Sequence, residues 1–242
     1  MAISLTHYQI LKLLKSRGEL PQGGRILEIG KANWYGDAPP SVVDAELPND
    51  ADGFLVAEAV YLKLCGEFEN LRAIDSDPAA VASMNGSVDL DLNILEWPEC
   101  DRRHNLVINH GTAEHVFNIA NVFKVMHDAC EVGGLMIHEA PFTGWTSHGF
   151  YTLQPTLFYD LARENGYEMV LVATEHLRSR TYQEWPSHEA ILEAKYRDQL
   201  PDHSMLFVAM RKTKEEPFRI PTQGIYSGAA SQFEAAMWSE LR

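Results

Sequence analysis

The sequence is poor in cysteine and in positive charge, and it has no long apolar run. Only 3 of its 242 residues are cysteine. Cys65, Cys100 and Cys130 form neither a metal-binding spacing nor an even disulfide set, which points to reduced thiols in a cytoplasmic protein. Lysine and arginine number 20 against 34 aspartate and glutamate, a formal charge of −14. That balance argues against a nucleic-acid partner, because neutralising phosphates requires a basic face. It argues equally against an anionic membrane surface, with Arg102, Arg103, Arg178 and Arg180 as local exceptions. No stretch approaches the ~18 apolar residues of a membrane span, and the first residues lack the basic start and apolar core of a signal peptide. An intracellular chain without a membrane anchor is the expectation.

The remaining composition, 45% hydrophobic and 22% charged, is that of a packed domain. One domain over 1–242 is expected, with an N-terminal helix within 1–20, a candidate lid at 175–203, and a tail ending in a helix over 217–242. No repeat or low-complexity segment interrupts it.

Four short apolar runs give the chain its order: Arg25-Ile-Leu-Glu-Ile-Gly30, Leu71-Arg-Ala-Ile-Asp75, His104-Asn-Leu-Val-Ile-Asn-His110 and Gly134-Leu-Met-Ile-His-Glu139. Runs this short and continuous suit strands buried on both faces of a parallel sheet. Each ends in residues able to meet a ligand, and in such sheets ligands lie beyond the carboxyl ends of the strands. Helical spacing marks residues 3 to 17, stopped by Gly18 and Pro21. A second helix should begin near Asp52, a suitable cap, after a loop from Lys31 to Gly36 and the Pro39-Pro40 pair. Pro78 fits the first turn of a short helix, and Ser87 to Asp91 is a weak strand. Phe117 to Cys130 reads as a helix stopped by Gly133-Gly134, and Pro141 should break the strand that follows. Pro155 opens a helix closed by Asn165-Gly166. Tyr167 to Thr174 and Ser204 to Met210 complete the sheet, with a helix near Ser187 to Gln199 between them.

The strand ends carry the chemistry. Gly30 offers close backbone approach to a ligand, or simply a tight turn. Glu28, two residues earlier, needs a cation or donor if buried, and a cofactor ammonium is one candidate. Asp75 can accept hydrogen bonds from two ribose hydroxyls, as acidic residues do in dinucleotide folds, or it can cap a helix together with Asp77. Asp89 and Asp91 could read an adenine amino group or merely make a turn. The polar run Asn109-His-Gly-Thr-Ala-Glu114-His115 is dense for packing alone. No metal is expected there: His110 and His115 miss the i, i+4 spacing of helical ligands, and the sequence shows no third ligand. Glu139 to Tyr151, with Trp145 and His148, combines aromatic walls with a histidine, the side-chain type whose reference pKa lies nearest neutral pH and so suits a general base. A loop-holding role suits His148 equally.

Taken together, Ile-Leu-Glu-Ile-Gly30, Ala-Ile-Asp75, Asp91-Leu-Asn and Asn105-Leu-Val-Ile-Asn-His-Gly-Thr-Ala-Glu114-His115 resemble the class I S-adenosylmethionine-dependent methyltransferases. The likeness is greatest to bacterial small-molecule members and covers roughly residues 20 to 175. It extends through Gly133-Gly134-Leu-Met-Ile-His to His148-Gly-Phe-Tyr and Glu164-Asn-Gly-Tyr. The resemblance implies an α/β, Rossmann-like sheet of about seven strands, mostly parallel with an antiparallel last strand, and helices on both faces. It implies S-adenosyl-L-methionine as cofactor: Glu28, Gly30 and Lys31 near the methionine moiety, Asp75 on the ribose, Asp91 and Leu92 on adenine, and Asn109, His110 and Gly111 at the methionine end. The acceptor then falls to Glu114, His115, Glu139, Trp145 and Tyr151, with His148 and His110 as catalytic candidates and His138 and Glu139 as further bases. Two positions depart from the family pattern: Ala32 and Trp34 replace glycines of the G-x-G-x-G turn, and Asn105 replaces an aspartate. The implied activity is methyl transfer to oxygen or nitrogen of a small molecule, such as a sugar or natural product. A catalytically silent binding or assembly domain and a nicotinamide-dependent oxidoreductase are the alternatives, and a homo-oligomer is left open.

Overall fold

The computed structural model describes residues 2–35, 53–77, 82, 87–94 and 103–240. The Pro39-Pro40 loop, the Asp52 cap, the helix start at Pro78, Cys100 and Arg102 lie outside the described residues. In chain order the elements are β1 (Ala2–Ile3), α1 (Leu5–Ser16), β2 (Arg25–Ile29), β3 (Asn33–Trp34), α2 (Gly53–Cys65), β4 (Asn70–Asp75), β5 (Val88–Asp89) and β6 (His104–His110). A 3-10 turn (Ala113–His115) leads to α3 (Ile119–Ala129), β7 (Cys130–Thr143), α4 (Pro155–Asn165) and β8 (Glu168–His176). The chain ends with β9 (Thr181–Glu184), α5 (His188–Tyr196), β10 (Ser204–Arg211), α6 (Gly224–Ser227) and α7 (Gln232–Glu240).

Among the described residues the main sheet has eight strands in the order β5-β4-β2-β6-β7-β10-β8-β9. Strands β5, β4, β2, β6 and β7 pair in parallel, and β10 inserts antiparallel between β7 and β8. This is the Rossmann-like class I methyltransferase arrangement, with one edge strand, β9, beyond the expected seven. Strand alternation divides the core between two faces. Leu106 and Ile108 point toward α1 and α2, where Ile10, Leu14, Val60 and Tyr61 pack. Val107 points to the other side, with Val122, Met126 and Phe158 of α3 and α4. No helix among the described residues is long and apolar enough to cross a membrane.

Three local expectations are corrected. Residues 31 to 36 are not all loop: Asn33–Trp34 pairs in parallel with Ala2–Ile3, and Trp34 is buried on the α1–α2 face. Two-residue strands leave no periodicity to read. Gly133-Gly134 does not end α3. The helix stops at Ala129, where the buried Lys212 ammonium donates to the carbonyls of His127 and Cys130, and the glycines lie inside β7. Gly134 is required there, since a Cβ would stand 2.8 Å from Cys130 Sγ and 2.9 Å from the Glu131 carbonyl. Pro141 does not break β7 either. β6 ends opposite Glu139, and the β10 ladder shifts register at Ser204/Met205, so Pro141 sits where the pairing is already irregular.

Candidate functional site

The parallel strands all point their carboxyl ends at one cavity of about 720 Å³, within the range of small-molecule and cofactor sites. Gly30 reaches it from β2, Asp75 from β4, His110 from β6, Glu139 from β7 and Glu175 from β8. The register places His110 directly opposite Glu139. Ile3, Ser4 and His7 close the cavity from the amino-terminal segment.

One end has the character of a nucleoside pocket. Gly30 takes a left-handed φ of +80° while its N–H donates to the Ile74 carbonyl at 2.7 Å, which ties the turn to β4. A side chain here would be strained, on a position that lines the cavity. Asp75 lies across that crevice. Its Oδ2 accepts the Lys31 N–H at 3.0 Å and its Oδ1 accepts the Asp77 N–H at 3.0 Å. Ile74, Leu90, Leu92 and Val116 give an apolar slot beside it, and Asp91 Oδ1 holds its own turn through the backbone and side chain of Asn93.

The floor is buried and polar. His7 donates from Nε2 to Glu139, its Nδ1 accepting the Ser4 N–H at 3.0 Å, and the His110 ring packs edge-on against His7 at 4.7 Å. Thr6 donates to Glu175 at 2.6 Å, with Arg180 3.7 Å away. Burial raises the pKa of Glu139, an effect His7 opposes, and lowers that of His110 well below the usual imidazole range, with His7 adding to the shift.

The third part lies where the 3-10 turn meets the loop after β7. Phe150 and Tyr151 N–H both donate to the Glu114 carbonyl, at 2.8 and 3.3 Å, which brings His148 alongside Glu114 and His115. Burial pushes the Glu114 carboxyl up to about 7. Trp145 donates from Nε1 to the Ser204 carbonyl at 2.8 Å, and its ring lies 4.6 Å from that of His148.

The cavity wall therefore gathers Gly30, Asp75, Asp91, Leu92, His110, Gly111, Glu114, His115, Glu139, Trp145 and His148. Four other sequence candidates are turned elsewhere. Glu28 is buried against Tyr61 and accepts the Ala32 N–H at 3.1 Å, so it shapes the turn from behind. Lys31 contributes its backbone to Asp75 while its ammonium lies over the Phe54 ring at 3.9 Å. Asn109 accepts the N–H groups of Thr112 and Ala113, holding the turn that carries Glu114. Tyr151 donates its hydroxyl to the Phe117 carbonyl at 2.8 Å. Asn105 is structural too, accepting the Arg25 N–H and donating to the Gly23 carbonyl. Sequence reasoning missed His7, Thr6, Glu175 and Arg180. His7 and Glu139 are 132 residues apart, and no local pattern links them.

No protein-family model matches the chain, and no curated protein matches it in sequence. Solved structures do match in fold. The N-methyltransferase NodS of Bradyrhizobium japonicum WM9, in complex with S-adenosyl-L-homocysteine, is 13% identical over 87% of this chain and 89% of its own, with a TM-score of 0.50. The (4+2)-cyclase SpnF is 13% identical over 86% of this chain and 82% of its own, with a TM-score of 0.50. A protein of Bacillus halodurans C-125 is 13% identical over 85% of this chain and all of its own, with a TM-score of 0.51. At this identity the likeness is one of fold.

Proposed function

We propose that the cavity binds S-adenosyl-L-methionine and that the protein transfers its methyl group to an oxygen or nitrogen of a small molecule, a sugar or natural product. The observation that supports this most is the meeting of Gly30 and Asp75 at neighbouring strand ends, across an open crevice, at one end of a cavity large enough for a second ligand. The residues present suit the cofactor. A bare backbone at Gly30 admits the methionine moiety, Asp75 keeps lone pairs for ribose hydroxyls, and the Ile74–Leu90–Leu92–Val116 slot suits adenine. The fold resemblance is consistent with this and does not fix it, since the same fold carries a cyclase.

When bound, the cofactor supplies an already activated methyl group on a sulfonium. The protein must then align the acceptor and exclude water. His110, Gly111 and Glu139 form the floor beneath the methionine end. Glu114, His115, His148 and Trp145 stand on the acceptor side, and His148 and Glu139 are placed to take the acceptor's proton.

Isothermal titration with S-adenosylhomocysteine tests the reading, with NAD as the parallel ligand. Binding of the first alone is expected. Silence with both would favour a binding or assembly domain, and a preference for NAD would favour an oxidoreductase.

A further inference from the structure

Glu114 is fully buried, lies on the cavity wall, and accepts a hydrogen bond from no other described residue at either carboxylate oxygen. A carboxylate so placed is costly unless a ligand completes it. Its neighbours on the cavity side are two imidazole nitrogens, His148 Nε2 at 3.8 Å and His115 Nε2 at 3.9 Å, too far to hydrogen-bond. One oxygen and the two nitrogens all lie within 4.8 Å of one another.

We propose that Glu114, His115 and His148 bind a divalent transition-metal ion such as zinc, with its open positions turned toward the acceptor. Ligand atoms around such an ion stand about 3.3 Å apart, so each imidazole nitrogen needs to approach the Glu114 oxygen by only about half an ångström, and the two nitrogens, within 4.8 Å of each other, by at most about 1.5 Å, within the reach of side-chain rotation. Two imidazoles with one carboxylate suit zinc, iron or manganese better than magnesium or calcium, which prefer all-oxygen shells.

The scaffold fixes these three groups together. A Cβ at Gly149 would stand 2.9 Å from the Glu114 carbonyl, 3.2 Å from Glu114 Cγ and 3.2 Å from His115 Nδ1, so only glycine lets the His148 loop close on the turn. Ser147, immediately before His148, holds a left-handed φ of +62°, a conformation unfavourable outside glycine and typical of tightly specified sites.

A second trio on the floor, His7, His110 and Glu139, has similar spacing and different chemistry. The Ser4 N–H donates to His7 Nδ1, which leaves the ring proton on Nε2, facing Glu139. That nitrogen is a donor, and the pair is a hydrogen-bonded dyad.

Resting on the transferase reading, the site points to a hydroxyl acceptor. An ion there would replace His148 and Glu139 as the means of activating the acceptor, whose hydroxyl, held at an open position, would give its proton to water at the cavity mouth. Its oxygen forms a bond to the methyl carbon as the C–S bond breaks, and that electron pair goes to sulfur, leaving a neutral thioether and a methyl ether.

The test is zinc titration of the chelator-treated full chain, without cofactor, followed by calorimetry. One zinc per chain is expected, weakened tenfold or more by Glu114→Gln and by His148→Ala and unchanged by His7→Asn. Cobalt substitution of the wild-type chain should give visible absorption of a nitrogen–oxygen site, a readout that does not depend on any variant folding. No zinc binding by the wild type, binding that survives Glu114→Gln, or binding lost in His7→Asn overturns the proposal. A parallel titration with S-adenosylhomocysteine separates the two readings: heat with that ligand but not zinc removes only the metal, and the reverse removes only the transferase.

Discussion

The backbone N–H of Lys31 donates to Asp75 Oδ2 at 3.0 Å, so the carboxylate proposed to receive a ribose already grips the turn that would face the methionine. The two halves of the nucleoside pocket are thus one mechanical unit. Because Asp75 Oδ1 also holds the Asp77 N–H, the carboxylate is oriented before any ligand arrives, which lowers the ordering cost of binding.

Asp75→Ala removes both the ribose acceptor and this tether. Its affinity for S-adenosylhomocysteine, measured by calorimetry, should fall more than tenfold, in line with about 1–3 kcal/mol for donors left without a partner. Unchanged affinity would take Asp75 out of the site.

Gly30→Ala forces a Cβ onto a backbone with φ of +80°, on the wall of the cavity. The left-handed conformation should cost about 1–2 kcal/mol of stability, and ligand affinity should fall by more than that strain explains. Melting curves with and without S-adenosylhomocysteine separate the two effects. A variant that melts lower but keeps its full ligand-induced shift would show that Gly30 serves the turn alone.

The parts of this site legible in the sequence are those set by strand ends. Gly30, Asp75, His110 and Glu139 each terminate an apolar run, and a parallel sheet brings such ends together whatever the helices do. The direction of a side chain was less legible. Glu28 and Asn109 sit on the expected strands, yet one faces Tyr61 and the other folds back on Thr112 and Ala113. Long-range partners were not legible at all. His7 lies within an ordinary amphipathic helix, and the packing of that helix on the sheet, beside the pairing of β1 with β3, brings it to Glu139. In the sequence Trp34 stands out as a departure from the glycine turn and not as a strand residue, because β3 is too short to leave a pattern.

His138 is one of the buried histidines that make the fold sensitive to acid. Its ring is buried against Phe123 and Phe158, and burial lowers its pKa to about 3. In the unfolded chain it protonates near 6.5, so between those values the unfolded state holds the extra proton. Stability is fully present above 6.5 and drains away as the pH falls toward 3, by about 5 kcal/mol in all. His138→Leu should flatten this part of the pH–stability curve, read by urea unfolding at several pH values. An unaltered acid slope would refute the assignment.

Glu28 works in the opposite direction. Burial pushes its carboxyl up to about 7, an effect the Ala32 N–H only partly opposes. Unfolded, it ionises near 4.3. The folded chain therefore keeps a proton that the unfolded chain releases, and stability present below about 4.3 is lost as the pH rises through 7, by about 3–4 kcal/mol. Glu28→Gln keeps an oxygen for the Ala32 N–H and abolishes the ionisation. The variant should melt higher than the parent at pH 8, and the gap should shrink steadily toward pH 5. Because Glu28 faces Tyr61 and the turn rather than the cavity, S-adenosylhomocysteine affinity should stay within about twofold at pH 6, a change of only about 0.4 kcal/mol. A gap in melting temperature that does not vary with pH would mean that Glu28 is already ionised in the folded protein, with a cation or donor beside it.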